Sequence, residues 1–406
     1  MAPSTQFSFK KIAIPAYGPS FLFGMVEGAV YPVIALTARD LGASVAQAGM
    51  IVALTGVGAL LNNIPASLIT ARYGEKWAMA GASILLIVAL LVCVTAGSPG
   101  VLAAGIFMIG MSQAVFLLAR QTYLTDAVPI AMRARALSTL GGVMRIGLFI
   151  SPFLSAVLMQ LMGLDGAYWL GAMAAAAAGA LAITLPELPS RAKNKEATTA
   201  EAALAQPPPG MRAIIREHRR SLTTLGVGCL LVAALRNCRP LIIPLWAAHI
   251  GLDAATTAVI YGAMGAIDML LFYPAGKLMD QYGRRAAAVP CMLIMGVALV
   301  SIPFTSSLVP FLLAAMLLGL GNGIGSGLIM TIGADSSPVN ARPQFLGLWR
   351  FITDLGSCGG PLLVSSIAAA TTLSASIFFL GGAGFAAATI FFKWLPPRSS
   401  RAPTKA

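Results

Sequence analysis

Apolar residues in this chain come in long, nearly uninterrupted runs. Twelve of these are long enough to cross a bilayer as a helix, which takes ~20 mostly apolar residues. They fall at 12–37, 46–70, 77–96, 100–125, 137–162 and 166–185, then at 221–248, 255–278, 286–306, 308–333, 345–369 and 374–393. The runs are too long and too continuous for the alternating strands of a barrel. The pattern therefore predicts an all-α membrane protein with twelve transmembrane helices. Polar residues collect in short turns and in one long segment, 186–220, which divides the runs six and six. The expected domains are an N-terminal six-helix bundle over 1–185, a cytoplasmic linker over 186–220, and a C-terminal six-helix bundle with a short tail over 221–406. Within the linker, composition reads 211–220 first as a solvated tether, with a short basic helix lying on the membrane surface as the alternative.

The two sets of six are copies. Asp126-x-x-Pro129-x-x-x-Arg133 returns as Asp335-x-x-Pro338-x-x-x-Arg342, and Pro65-Ala66 ahead of Tyr73-Gly74 returns as Pro274-Ala275 ahead of Tyr282-Gly283. Gly147 and Pro152 return as Gly356 and Pro361, and Gly42 as Gly251. All keep one offset, 209 residues. A constant offset over so many matches marks an internal duplication, which sets the architecture before any single residue is read.

Composition agrees with lipid as the main solvent. The chain is 58% hydrophobic and 10% charged, with a mean hydropathy of +0.83. Soluble domains carry about 25% charged residues. The excess of 27 Lys+Arg over 14 Asp+Glu would suit a nucleic-acid binder, but its distribution decides otherwise. With the N-terminus inside, the inner segments hold Lys10, Lys11, Arg72, Lys76, Arg133, Arg135, the basic linker, Arg284, Arg285, Arg342 and the basic tail. The outer loops hold only Arg39. This is the positive-inside pattern. It puts both termini in the cytoplasm and leaves nucleic acid without support. Five scattered cysteines and two distant histidines offer no metal site, and no nucleophile–base constellation suggests an enzyme.

The loop after the eighth run reads Gly276-Lys277-Leu278-Met279-Asp280-Gln281-Tyr282-Gly283-Arg284-Arg285. With two parallel six-helix halves around it, this loop resembles the G-x-L-x-D-x-x-G-R-R signature of the major facilitator superfamily, and the resemblance covers about 10–395. It implies a rocking, alternating-access transporter with no cofactor, working as a monomer in a bacterial cytoplasmic membrane. It also implies a conformational latch of Gly276, Asp280, Gly283, Arg284 and Arg285, with Asp335, Arg342, Asp126 and Arg133 at neighbouring helix ends. In the first repeat the signature is degraded: Ser67, Ala71 and Glu75 replace the Gly, Asp and first Arg. Gly356-x-x-x-Gly360-Pro361, with the looser Gly147-x-x-x-Ser151-Pro152, is similar to the helix-packing motif of the family's antiporters. One departure stands against that branch: its helix-4 Arg, four residues before a Gly, is Ile106 here.

Eight charged residues lie well inside the predicted spans: Glu27, Arg120, Arg145, Arg236, Arg239, Asp268, Arg350 and Asp354. A charge at mid-bilayer costs about 2.5–3.5 kcal/mol on insertion scales, so it marks a partner or a task. Runs 3, 6, 9 and 12 carry none, and the resemblance implies that the other eight surround the transport cavity. By the repeat offset Glu27 corresponds to Arg236 and Arg145 to Asp354, an acid against a base each time. Five Arg against three acids leave two guanidinium groups for a ligand. Arg binds carboxylate and phosphate bidentately, so the expected substrate is a small anionic or zwitterionic organic molecule.

Proton coupling needs a carboxylate that takes up a proton in one setting and releases it in another. Glu27, Asp268 and Asp354 are the candidates, Glu27 first because no basic residue lies within a turn of it. Asp354 has Arg350 one turn away at i, i+4. The substrate-binding set is Arg145, Arg236, Arg239, Arg350, Tyr31, Gln113 and Asn322, with Asn62, Asn63 and Asn237 as further contacts or plain interhelical hydrogen bonds. Arg120 either joins them or snorkels to the inner interface. The Gly-rich stretch Gly319–Gly327 reads as close helix packing rather than a phosphate loop, since it follows no strand. The expected activity is proton-coupled efflux. The alternatives are uptake of an organic anion by symport and a non-transporting membrane sensor.

Overall fold

A computed structural model describes residues 9–128, 133–186, 211–338 and 342–396. The described residues contain twelve helices long and apolar enough to cross a membrane. They are helix 1 (Tyr17–Asp40), helix 2 (Val45–Tyr73), helix 3 (Glu75–Val94), helix 4 (Pro99–Ala127), helix 5 (Thr139–Met162) and helix 6 (Asp165–Ile183). After the linker come helix 7 (Arg219–His249), helix 8 (Ala254–Tyr282), helix 9 (Arg284–Phe304), helix 10 (Leu308–Ser336), helix 11 (Phe345–Ala370) and helix 12 (Leu373–Trp394). A short helix, Met211–Glu217, precedes helix 7. Linker residues 187–210 and Pro129 fall outside the described residues.

The helix boundaries follow from local chemistry. Ser44 and Gln47 exchange bonds at the start of helix 2, the Ser44 N–H donating to Oε1 of Gln47 at 2.8 Å and the Gln47 N–H to Oγ of Ser44 at 3.2 Å. This capping box satisfies two N–H groups that the helix cannot. Asp253, at the equivalent place in the second repeat, accepts from the Thr256 N–H at 2.5 Å. The turns between helices 2 and 3 and between helices 8 and 9 pivot on Gly74 and Gly283, with φ of 89° and 88°. Only glycine takes such values without strain. The repeat thus preserves a backbone need even where the flanking charges have diverged.

The chain divides into two compact units, one of Met1–Tyr31 with Val57–Ala205 and one of Pro32–Gly56 with Gln206–Ala406. In the first, helix 3 packs on helices 4 and 6. Helix 1 lies so close to helix 5 that a Cβ on Gly24 would strike the Met144 carbonyl, and one on Gly147 the Phe21 carbonyl. The second unit repeats the device between helices 7 and 11. There Gly356 meets the Leu230 carbonyl, and Gly360 would bring a Cβ within 2.9 Å of the Ala234 backbone. Pro152 and Pro361 follow inside their helices. Helix contact without side chains is how small residues secure association in lipid. Gly147→Val should therefore lower stability by at least about 1–3 kcal/mol, the usual penalty for overpacking. Detergent-solubilised melting would show it, while Gly141→Val, at a position where a Cβ meets nothing within 4 Å, should leave melting unchanged.

One expectation about the fold needs correction. Run 10 reads as a single continuous helix, but the structure breaks it into Leu308–Ile324 and Leu328–Ser336. Gly319, Gly321 and Gly323 do pack closely, as the small residues suggest, against Met264, Met295 and Asp268. Gly325-Ser326-Gly327 instead forms a turn, with Gly327 at φ 79°. Two glycines in three residues remove the side chains that hold a helix together against such a turn. Apolar length alone does not register that.

Candidate functional site

In the first unit Glu27 of helix 1 and Arg120 of helix 4 come together. Glu27 is 7% exposed. Helix 4 supplies Gln113, whose Nε2 donates to Oε1 of Glu27 at 2.6 Å. Tyr31, one turn along helix 1, also hydrogen-bonds the carboxylate. Arg120 is its electrostatic neighbour. Arg120 lies seven residues after Gln113, which puts both on one face of helix 4. Its Nη2 lies 3.1 Å from the sulfur of Met144, and its Nε and Nη1 are buried without a hydrogen-bond partner. Thioether is a weak acceptor, so this guanidinium keeps donors available for a better one. Arg120 belongs with the candidate site rather than at the interface. The i, i+7 spacing from Gln113 was the signal that could have placed it there.

The second unit builds a related cluster around a different acid. Asn322 is the repeat counterpart of Gln113. Its Nδ2 donates to Oδ2 of Asp268 on helix 8 at 2.5 Å, and its own Oδ1 is buried without a partner. Arg239 approaches the same Oδ2 at 3.7 Å and bonds back through Nε to the Arg236 carbonyl at 3.2 Å. Arg236, the counterpart of Glu27, binds the break in helix 10. Its Nη2 donates to the Gly325 carbonyl at 2.6 Å, and it also hydrogen-bonds Cys291. In both repeats the helix-4 or helix-10 amide holds a carboxylate. The acid has moved from helix 1 to helix 8, and an Arg occupies the vacated place.

The remaining candidates spread out. Arg350 and Asp354 lie 3.8 Å apart on one helix face, with Arg350 68% exposed. An ion pair this open and this long contributes little. Arg145 is half-buried on helix 5. Asn62 donates to the Met111 carbonyl at 2.8 Å and Asn237 to Oγ of Ser357 at 3.0 Å. Both fit the plain interhelical reading. All five cysteines are free and buried, and no group of three metal-ligating side chains occurs among the described residues.

The signature loop is organised by Arg284. Its Nε donates to Oδ2 of Asp335 at 2.8 Å, its Nη1 to the Met279 carbonyl at 3.0 Å, and Nη1 lies 3.6 Å from Oδ1 of Asp280. Arg285 lies 3.9 Å from the Phe392 ring centre, a cation–π contact. Around Gly276 a Cβ would find open space. In the degraded first copy Arg72 and Lys76 lie over the rings of Tyr73 and Trp77, at 5.6 and 5.7 Å. Asp126 is exposed there. The side chains of Arg133 and Arg342 fall outside the described residues.

Comparison with known proteins places the fold. Solved structures similar in fold include a D-xylose–proton symporter (TM-score 0.75, 14% identity, covering 96% of this chain and 98% of that one). A transporter of the POT family in complex with 5-aminolevulinic acid matches at TM-score 0.77 and 11% identity, over 95% and 97%. A bacterial homologue of the human lysosomal transporter Spinster, inward-facing and unoccupied, matches at 0.75 and 14%, over 96% and 97%. No curated protein matches the chain in sequence. The sequence profile of the Major Facilitator Superfamily matches residues 20–267 and 225–406. With twelve spanning helices, a duplicated six-helix plan and the signature loop intact after helix 8, the chain belongs to the major facilitator superfamily.

Proposed function

We propose that the chain is a secondary active transporter that exports a small anionic or zwitterionic organic molecule in exchange for protons, by alternating access. One observation carries the reading: each unit keeps a carboxylate in the grip of a repeat-equivalent amide, Gln113 on Glu27 and Asn322 on Asp268, and each holds a guanidinium with an unbonded buried donor, Arg120 and Arg236. Glu27 is the proton carrier, because its direct hydrogen-bond partners are neutral and so leave it able to exist with or without a proton. Asp268 is held as the counter-ion of Arg239, and Asp354 stays with Arg350. Arg120 joins Arg145, Arg236 and Arg239 in favouring negative charge. Arg284, with Asp280 and Asp335, acts as the latch of one access state. The chain works in a bacterial cytoplasmic membrane with both termini inside.

The test is counterflow in proteoliposomes. A panel of radiolabelled monocarboxylates, dicarboxylates, amino acids and lipophilic cations is offered with and without an imposed pH gradient. Accumulation of a carboxylate or zwitterion, driven by a gradient acid on the trans side, supports the proposal. Accumulation of lipophilic cations alone would overturn the substrate class. Movement of substrate and protons in the same direction would favour symport, a second reading that the similarity to a xylose–proton symporter supports.

A further inference from the structure

Helix 10 is broken, and its counterpart is not. Residues 116–118, which correspond to 325–327, lie within the continuous helix Pro99–Ala127. The repeats also differ at Arg236, which stands where the first has Glu27. These two departures meet in one bond. The Gly325 carbonyl at the break accepts the Leu328 N–H at 3.0 Å and Nη2 of Arg236 at 2.6 Å. A helix end inside an apolar span leaves carbonyls short of donors, and a buried guanidinium supplies one. Arg236 is also tied to helix 9 through Cys291, and its Nε stays unbonded.

The lower segment, Leu328–Ser336, is fastened at both ends. Nine residues of helix span about 13 Å. At its start stands the Arg236–Gly325 bond. Near its end Asp335 accepts from Arg284, which also holds the Met279 carbonyl and so ties the segment to the turn between helices 8 and 9. Along its side, Trp349 of helix 11 donates to the Ile329 carbonyl at 3.1 Å and presses on Gly333, where a Cβ would come within 2.7 Å of the indole. The segment is therefore a short rigid bar between the buried polar cluster and the signature loop.

We propose that Arg236 is a positioning residue that couples this cluster to the Arg284–Asp335 pair by holding helix 10 together at its break. When an anion takes the guanidinium, the Gly325 carbonyl loses its charged donor and the bar loosens. The strain then reaches Asp335, and Arg284 is released. That ligand step rests on the reading of the substrate as an anion, whereas the mechanical coupling does not.

Hydrogen exchange of the full chain in nanodiscs, without ligand, tests the coupling. Arg236→Gln should speed exchange of the 326–336 amides about tenfold, the scale of one lost charged hydrogen bond. The rise should extend to the 279–286 turn, which Arg236 does not touch. Arg236→Lys, which keeps the charge but not the fork, should give about threefold at the same places. If the Gln variant does not fold, the Lys variant carries the comparison. Faster exchange confined to the break, with 279–286 unchanged, would overturn the coupling, as would no change anywhere. Anion counterflow by the same variants is scored separately. Lost counterflow with unchanged exchange sinks the coupling and leaves the anion reading standing, and the converse sinks only the latter.

Discussion

Glu27→Gln should reduce pH-gradient-driven transport to the background of empty vesicles while leaving solute counterflow in place. The substitution preserves shape and hydrogen bonding. A Gln at this position still offers a carbonyl to Nε2 of Gln113, now 2.6 Å from Oε1, and to Tyr31. What it removes is the ability to carry a proton. Helix 1 should remain seated on helix 5, because the packing there runs through Gly24, Gly28 and Gly147 and not through the carboxylate. Gradient-driven uptake and counterflow in one preparation separate the two effects. Undiminished gradient-driven transport in a well-folded variant would remove Glu27 from the coupling role. Equal loss of both activities would make it a substrate ligand instead.

The largest effect on stability is expected at Asp268. Replacing it with Ala strands Arg239, whose side chain is 16% exposed and whose guanidinium lies 3.7 Å from the carboxylate, and leaves Nδ2 of Asn322 without its acceptor. Breaking a fully buried pair from one side costs about 3–5 kcal/mol, because the remaining charge is left uncompensated, and that is the upper bound for this partly buried pair. Asp268→Asn keeps the acceptor for Asn322 but not the charge, and should fall between. The double change Asp268→Asn with Arg239→Gln removes both charges and should recover most of the loss. Thermal unfolding of the purified variants in one detergent measures the series. A melting point for Asp268→Ala equal to that of the parent would show that lipid or water, not Asp268, compensates Arg239.

The residues differ in how far the sequence could place them. Glu27 was identifiable as a lone acid in an apolar run, and Gln113 and Asn322 as repeat equivalents, because lipid makes every polar residue conspicuous. Their partners were not. Arg120 is seven residues from Gln113 in sequence, but its nearness to Glu27 depends on how helix 4 packs on helix 1. Arg236 was identifiable as a buried base, but its bond to the Gly325 carbonyl was not. The two arginines of helix 7, three residues apart, lie on one helix face. Arg239 pairs with Asp268 at 3.7 Å, while Arg236 donates to the Gly325 carbonyl. The broken helix was missed because hydropathy measures transfer from water to lipid and says nothing about where backbone hydrogen bonds stop.

By itself the sequence determined the number of spans, the duplication, the loop signature and the set of buried charges. All of these follow from the price of polar groups in hydrocarbon or from a fixed offset along the chain. Tertiary structure alone decided which acid each amide holds, which Arg is paired, and that helix 10 divides at Gly325–Gly327. Those choices depend on distances of a few ångströms between helices far apart in sequence. Such distances are set by where small residues such as Gly147 and Gly356 let backbones touch.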